Sequence, residues 1–130
     1  LVLGTLHTVD AAQTVDRLID MFPPNQQTQI KMQFSQLLEA VLCQTLLPRA
    51  TGRGRVAAFE VMVGNTAIRN LIREGKTHEI PGVMQLNRNI GMQTLDQHLA
   101  TLVHQGLVKR MDAMLKSSRP ENLAKIIDKP

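Results

Sequence analysis

Apolar residues recur along this chain at two different spacings, and the changes of spacing mark its elements. Leu1-Val2-Leu3 followed by Leu6 is a short apolar run that predicts a buried strand. Such a strand needs neighbours on both sides. The residues just after it offer none, so the chain is expected to be cut from a larger protein. From Asp10 to Phe22 the spacing turns helical, with Ala11, Ala12, Val15, Leu18, Ile19 and Phe22 recurring and Asp10 placed as an N-cap. Pro23-Pro24 stops that helix. A second helix is predicted over about Gln26 to Leu42, with Ile30, Phe34, Leu37, Leu38 and Val41 on one face and a Gln-rich, exposed N-terminal half.

A hairpin follows. Gln44–Arg49 and Arg55–Val63 are β-competent and flank Ala50-Thr51-Gly52-Arg53-Gly54, whose two glycines suit a turn. Pro48 ends the first strand early or places it at an edge. The remainder reads as helical. Thr66 is the expected cap of Ala67–Glu74, which carries Ile68, Leu71 and Ile72 on one face and is closed by Gly75. Pro81 starts a short helix to about Leu86. Thr94 or Gln93 opens another, with Leu95, Leu99, Leu102 and Val103 inward and Gly106 at its end. A last helix runs from about Lys109 to Lys116, and Pro120 separates it from a short tail.

Composition narrows the picture. The 130 residues are the size of one domain, and 43% hydrophobic with 20% charged residues is too apolar for a disordered chain. With no Trp, no Tyr and three Phe, the interior must be aliphatic, supplemented by seven Met. No apolar run approaches the roughly 20 residues of a membrane helix, and the opening Leu1-Val2-Leu3-Gly4 lacks the basic region of a signal peptide. The one cysteine, Cys43, excludes a disulfide framework or a four-thiolate zinc site within the chain. In its apolar setting it reads as a buried small hydrophobe, in keeping with a reducing cytoplasm. The net charge of +4 permits an anionic partner. The basic residues are scattered, however, and stacking aromatics are nearly absent, so nucleic acid is not the expected one.

Candidate chemistry is sparse. His7, His78, His98 and His104 are spread out with no acidic cluster at ligand spacing, so no metal site is expected. There is no Gly-x-Ser-x-Gly elbow and no Gly-x-x-x-x-Gly-Lys-Ser/Thr phosphate loop. Two features remain. His7 lies just past the predicted first strand, within Gly4-Thr5-Leu6-His7-Thr8, and in open α/β sheets ligands bind outside the carboxyl ends of strands. A His–Thr pair there can touch a phosphate or orient a water, or His7 is a satisfied structural histidine. The second feature is Ala67–Glu74, where Arg69 and Arg73 are four apart and share an outward face.

These same residues carry a resemblance. Gly4-Thr5-Leu6-His7-Thr8 resembles the His box of the secretion-type traffic ATPases. Ala67-Ile68-Arg69-Asn70-Leu71-Ile72-Arg73-Glu74 matches letter for letter the signature of the PilT family, the type IV pilus retraction ATPases of twitching motility. Asp16-Arg17 through Asp20 to Phe22-Pro23, Gly54–Met62 and Gly91-Met92-Gln93-Thr94-Leu95-Asp96 are similar to further blocks of that family. The likeness runs from residue 1 to about 108. The four-cysteine element common in extension and secretion relatives is missing.

The resemblance implies an α/β fold, the C-terminal portion of a RecA-like P-loop ATPase domain, mostly helical in this stretch. Residues 1–63 would be the end of the ATPase core (His-box strand, two helices and hairpin), and residues 64–130 a helical C-terminal region with the signature helix. The family's PAS-like domain, Walker A loop, Asp box and Walker B strand all precede the His box and are not in this sequence. By resemblance, His7 would sense the γ-phosphate, with Thr5 and Thr8 beside the nucleotide. Ala67, Ile68, Arg69, Asn70, Leu71, Ile72, Arg73 and Glu74 would couple the cycle to retraction, with Arg69 and Arg73 as contact residues. The intact protein would use ATP and Mg²⁺ and assemble as a homohexamer. It would act on the pilus platform protein from the cytoplasmic side of the inner membrane, without inserting into it. The chain alone is expected to lack ATPase activity. The alternatives are an accessory paralogous retraction ATPase and a non-catalytic helical adaptor.

Overall fold

The computed structural model describes residues 1–129. Its first helix, α1 (Ala11–Asp20), starts where expected: extended Asp10 accepts from the Gln13 backbone N–H through Oδ1 at 2.7 Å, satisfying one of the helix's orphan donors. Ala11, Val15 and Ile19 form its buried stripe. The proline pair does more than stop α1. Pro24 occupies the first position of α2 (Pro24–Leu37), where a missing N–H costs nothing and the fixed φ suits a helix.

The helix expected to run to Leu42 ends at Leu37. Leu38 is extended, and β1 (Ala40–Pro48) follows almost at once. β1 pairs antiparallel with β2 (Arg55–Val63), in a register running from Ala40 opposite Val63 to Pro48 opposite Arg55. Val41, placed by helical spacing on a face of the second helix, instead points inward from a strand beside Cys43. Leu38–Cys43 is apolar enough to fit either period, and long-range contacts decide between them. Pro48 ends β1 as expected. On its other edge β2 is sealed by backbone bonds between Val61 and Gln93 (2.9 and 3.0 Å). The Phe59 N–H, which donates to His98 Nδ1 at 2.8 Å, completes that seal.

Beyond the hairpin lie α3 (Thr66–Glu74), a 3-10 turn at Thr77–Glu79, α4 (Ile80–Leu86), a second 3-10 turn at Arg88–Ile90, α5 (Leu95–His104), α6 (Arg110–Lys116) and α7 (Pro120–Ile127). The cap of α3 is Asn65, not Thr66: its Oδ1 accepts from the Ile68 N–H at 2.9 Å. Gly75 closes the helix at φ 71°, the left-handed conformation that favours glycine. α5 opens with a full capping box between Thr94 and Gln97. The tail after Pro120 is a complete helix seated by buried Leu123.

Two apolar cores hold these elements. The first joins Ala11, Val15 and Ile19 to Val41, Cys43, Met62, Ile68, Ile72, Ile80, Met84 and Met92. The second joins Leu47 and Ala58 at the turn end of the hairpin to Leu99, Ala100, Leu102, Val108, Ala113 and Leu123. Each core draws on residues from both sides of position 63.

The strand expected at Leu1–Leu6 does not form. Residues 1–8 have no regular structure, and Leu1, Val2 and Leu3 are 104%, 92% and 88% exposed. A strand exists only through its partners, and among the described residues the sheet has just β1 and β2.

Candidate functional site around the first helix and the signature helix

The segment carrying Thr5, His7 and Thr8 leads directly into the cap of α1. Thr8 is half-buried, and its hydroxyl lies 2.6 Å from that of Thr14, which itself donates to the Asp10 carbonyl at 2.8 Å. The Val9 N–H donates to Gln13 Oε1 at 3.0 Å. The junction is thereby anchored to α1. Thr5 and His7 are exposed, and among the described residues no hydrogen bond or ion pair holds either of them. His7 therefore stands in an irregular segment three residues before a helix cap, not at a strand's end. Its imidazole is open to whatever approaches the N-terminus of α1.

A residue that sequence reasoning passed over sits at the centre of this region. Glu60 on β2 is 8% exposed and accepts from two helices at once: Oε1 from the Ala11 N–H at 2.8 Å, and Oε2 from the Leu95 N–H at 3.0 Å. Both donors are first-turn N–H groups with no partner inside their own helix. Burial pushes the Glu60 carboxyl above its ordinary value. The two backbone donors pull it down by less, and nearby Asp10 and Asp96 add to the rise. The signal was available as a lone acid in the otherwise apolar run Val56-Ala57-Ala58-Phe59-Glu60-Val61-Met62-Val63. Cys43 is buried in the first core, as expected, and burial raises its thiol above the ordinary value.

The signature helix α3 has two distinct faces. Ile68 and Ile72 are fully buried in the first core, with Leu71 packed against it. Ala67, Asn70, Arg73 and Glu74 are exposed. Arg73 donates to Asn70 Oδ1 at 3.3 Å, and Glu74 pairs with Lys76 at 3.0 Å.

Arg69 does not share that outward face. Its side chain is 25% exposed and turns inward onto the end of α2. Nε donates to the Gly64 carbonyl at 2.8 Å, and Nη1 to the Ser35 carbonyl at 2.8 Å and to the Gln36 carbonyl. The guanidinium fork thus satisfies the carbonyls that α2 leaves unpaired where it stops. Gly64 completes the joint. Its N–H donates to the Glu39 carbonyl at 2.8 Å, and a Cβ at this position would stand 2.2 Å from the Leu38 carbonyl oxygen. Arg69 is a joint between α2, β2 and α3, which leaves Arg73 as the exposed arginine of the pair.

No hydrogen bond or ion pair among the described residues links Thr5, His7 or Thr8 directly to α3. The connection runs through α1. Val15 and Ile19 share a core with Ile68 and Ile72, and Thr77, just past α3, donates to Asp16 Oδ1 on α1 at 2.8 Å.

No protein-family model matches the chain. It is 47% identical to the type IV pilus retraction ATPase PilT of Pseudomonas aeruginosa over 94% of its length, covering 35% of that protein. It is 44% identical to a twitching motility protein of Neisseria gonorrhoeae over 95% of its length, covering 33% of that one. Its fold superposes on the crystal structure of the pilus retraction motor PilT with bound ADP at a TM-score of 0.83 and 44% identity. That match takes in 94% of this chain and 34% of the other. A hairpin flanked by helices, entered through an irregular segment, is thus a portion of a RecA-like traffic ATPase fold. Within that class the chain is a C-terminal part of a PilT-family sequence. It spans about a third of the length of the relatives it matches.

Proposed function

We propose that this chain belongs to a hexameric, ATP-hydrolysing motor that retracts type IV pili and so drives twitching motility. The observation that carries the proposal is the 47% identity to a pilus retraction ATPase, sustained over 94% of the chain. The match in fold to an ADP-bound retraction motor adds to it. In phosphoryl transfer a protein works mainly by positioning groups and stabilising charge. His7, exposed beside the first turn of α1, is placed to meet a phosphate presented by the rest of the motor. Thr5 and Thr8 flank it, and Thr8 ties the segment to α1 through Thr14. α3 carries the response: buried Ile68 and Ile72 seat it on the core of α1, and exposed Asn70, Arg73 and Glu74 face the partner. That partner is the pilus platform protein, met by a motor that lies peripherally at the cytoplasmic face of the inner membrane. Among the described residues no helix is long and apolar enough to cross a membrane.

The chain's own residues do not fit a complete nucleotide site. Among the described residues no three His, Cys, Asp or Glu side chains stand where they can hold a metal ion, and the sequence contains no phosphate loop. On this reading ATP and Mg²⁺ are held mainly by other parts of the motor, and the chain alone is expected to show no ATPase activity. Phosphate release with Mg-ATP tests this. The full-length protein is expected to turn over and the isolated chain to stay at background. His7→Ala in the full-length protein is expected to slow hydrolysis while sparing nucleotide binding. Wild-type turnover in that variant would remove His7 from the site, and Mg-dependent turnover by the chain alone would place the active site within it.

A further inference from the structure

We propose that Glu60 is a positioning residue: one carboxylate on β2 that fixes the first turns of α1 and α5 and thereby sets the Gly4–Thr8 segment. The step to that segment rests on the reading of His7 given above.

The geometry is specific to a glutamate. Its two oxygens serve two donors on different helices, Ala11 N–H at 2.8 Å and Leu95 N–H at 3.0 Å. These donors lie 49 and 35 residues away along the chain. α1 belongs to the first core and α5 to the second, so this side chain ties both cores to one strand position. A buried carboxylate is costly unless hydrogen-bonded, and an apolar residue would suit the strand better. What the carboxylate supplies is a negative charge at two helix N-termini and a fixed origin for each helix. Thr8 bonds to Thr14 and Asp10 caps Gln13, both within the first turns of α1. Shifting the N-terminus of α1 therefore shifts the residues that carry His7.

An amide or a shorter acid at this position cannot serve both donors. Glutamine has one acceptor oxygen, and its amide N–H₂ would face the second N–H. Aspartate is one methylene too short to span both donors. The charged and titratable groups around Glu60 are Asp10, Asp96, His78, Arg119 and the thiol of Cys43, its cross-strand partner.

The test begins on the unaltered chain by NMR. The Glu60 carboxyl carbon and the Ala11 and Leu95 amide protons are followed as pH is lowered. Both amides are expected to move with the Glu60 midpoint. If they follow Asp10 and Asp96 instead, the double bond from Glu60 does not hold the helices and the proposal falls. In Glu60→Gln, one of the two amides is expected to exchange at least tenfold faster, and unchanged protection of both overturns the proposal. In the full-length protein, Glu60→Gln and Glu60→Asp are expected to lower kcat about tenfold with KM for ATP within twofold. Unchanged kcat, despite lost amide protection, refutes positioning of the His7 segment. A full-length protein that hydrolyses no ATP would refute the motor reading, while the NMR readouts would still decide the role of Glu60.

Discussion

Replacing Arg69 with alanine should unfold this chain more readily than any change on the outer face of α3. The side chain is 25% exposed and donates to three carbonyls: those of Gly64, Ser35 and Gln36. A hydrogen bond to a charged group contributes about 1.5–3 kcal/mol. The three do not add. The Gln36 carbonyl is exposed and recovers water, and the contact to Glu39, at 3.7 Å with the acid 75% exposed, adds almost nothing. What remains is the pair of part-buried carbonyls, Gly64 and Ser35, and a loss of about 2–4 kcal/mol. At this chain length that lowers the melting temperature by about 10 °C. Arg69→Lys should recover roughly half of the loss, since an ammonium lacks the planar fork that reaches carbonyls on two elements. Arg73→Ala should fall within about 0.5 kcal/mol of the starting protein. Thermal and urea unfolding followed by circular dichroism measure all three. If Arg69→Ala melts within about 2 °C of Arg73→Ala, Arg69 is not the joint between α2, β2 and α3.

The same joint makes Gly64→Ala costly. The added Cβ would stand 2.2 Å from the Leu38 carbonyl oxygen, a backbone atom that cannot swing away, so urea unfolding should show a loss above about 2 kcal/mol, and a loss under about 0.5 kcal/mol would contradict the close approach. Stability should also carry a pH signature from Glu60. Burial holds its folded value above the ordinary 4.5, so the folded chain binds the proton more tightly. That contribution is complete below about pH 4.5 and is lost as pH rises through the folded value. Urea unfolding at several pH values should therefore show the unaltered chain losing ground to Glu60→Gln as pH rises from 4.5, and a gap that stays flat or widens would reverse the assignment. Emptying the seat of α3 with Ile72→Ala, a fully buried position, should cost about 2–5 kcal/mol, with a change below about 1 kcal/mol placing Ile72 outside the core.

Local signals were legible wherever they acted locally. Asp10, Thr94, Gly75 and the glycines of the hairpin turn all sit at the ends of the elements they were expected to bound. What the sequence hid was long-range. Leu38–Cys43 is equally apolar as helix or strand. The choice depends on Arg69 and Gly64, which seize the end of α2 from about 30 residues further along. The rival caps Asn65 and Thr66 are adjacent and of similar propensity, so spacing could not separate them. Leu1–Leu6 has the composition of a strand without a pairing partner among the described residues. Arg69 and Arg73 share a helical face in projection, yet one is drawn inward by carbonyls that no periodicity reveals. Glu60 stands out as an acid in an apolar strand, while its two donors lie on separate helices far along the chain.

The central claim is that α3 turns ATP hydrolysis into movement of the pilus through its exposed face. The most direct test is single-pilus retraction in cells whose retraction ATPase is the full-length protein carrying Asn70→Ala and Arg73→Ala. Both side chains are exposed and bond to each other, at 3.3 Å, within the same helix. ATP hydrolysis by the purified variant is measured alongside. Retraction is expected to be lost while most of the hydrolysis remains. Normal retraction, or loss of hydrolysis in step with retraction, would contradict it.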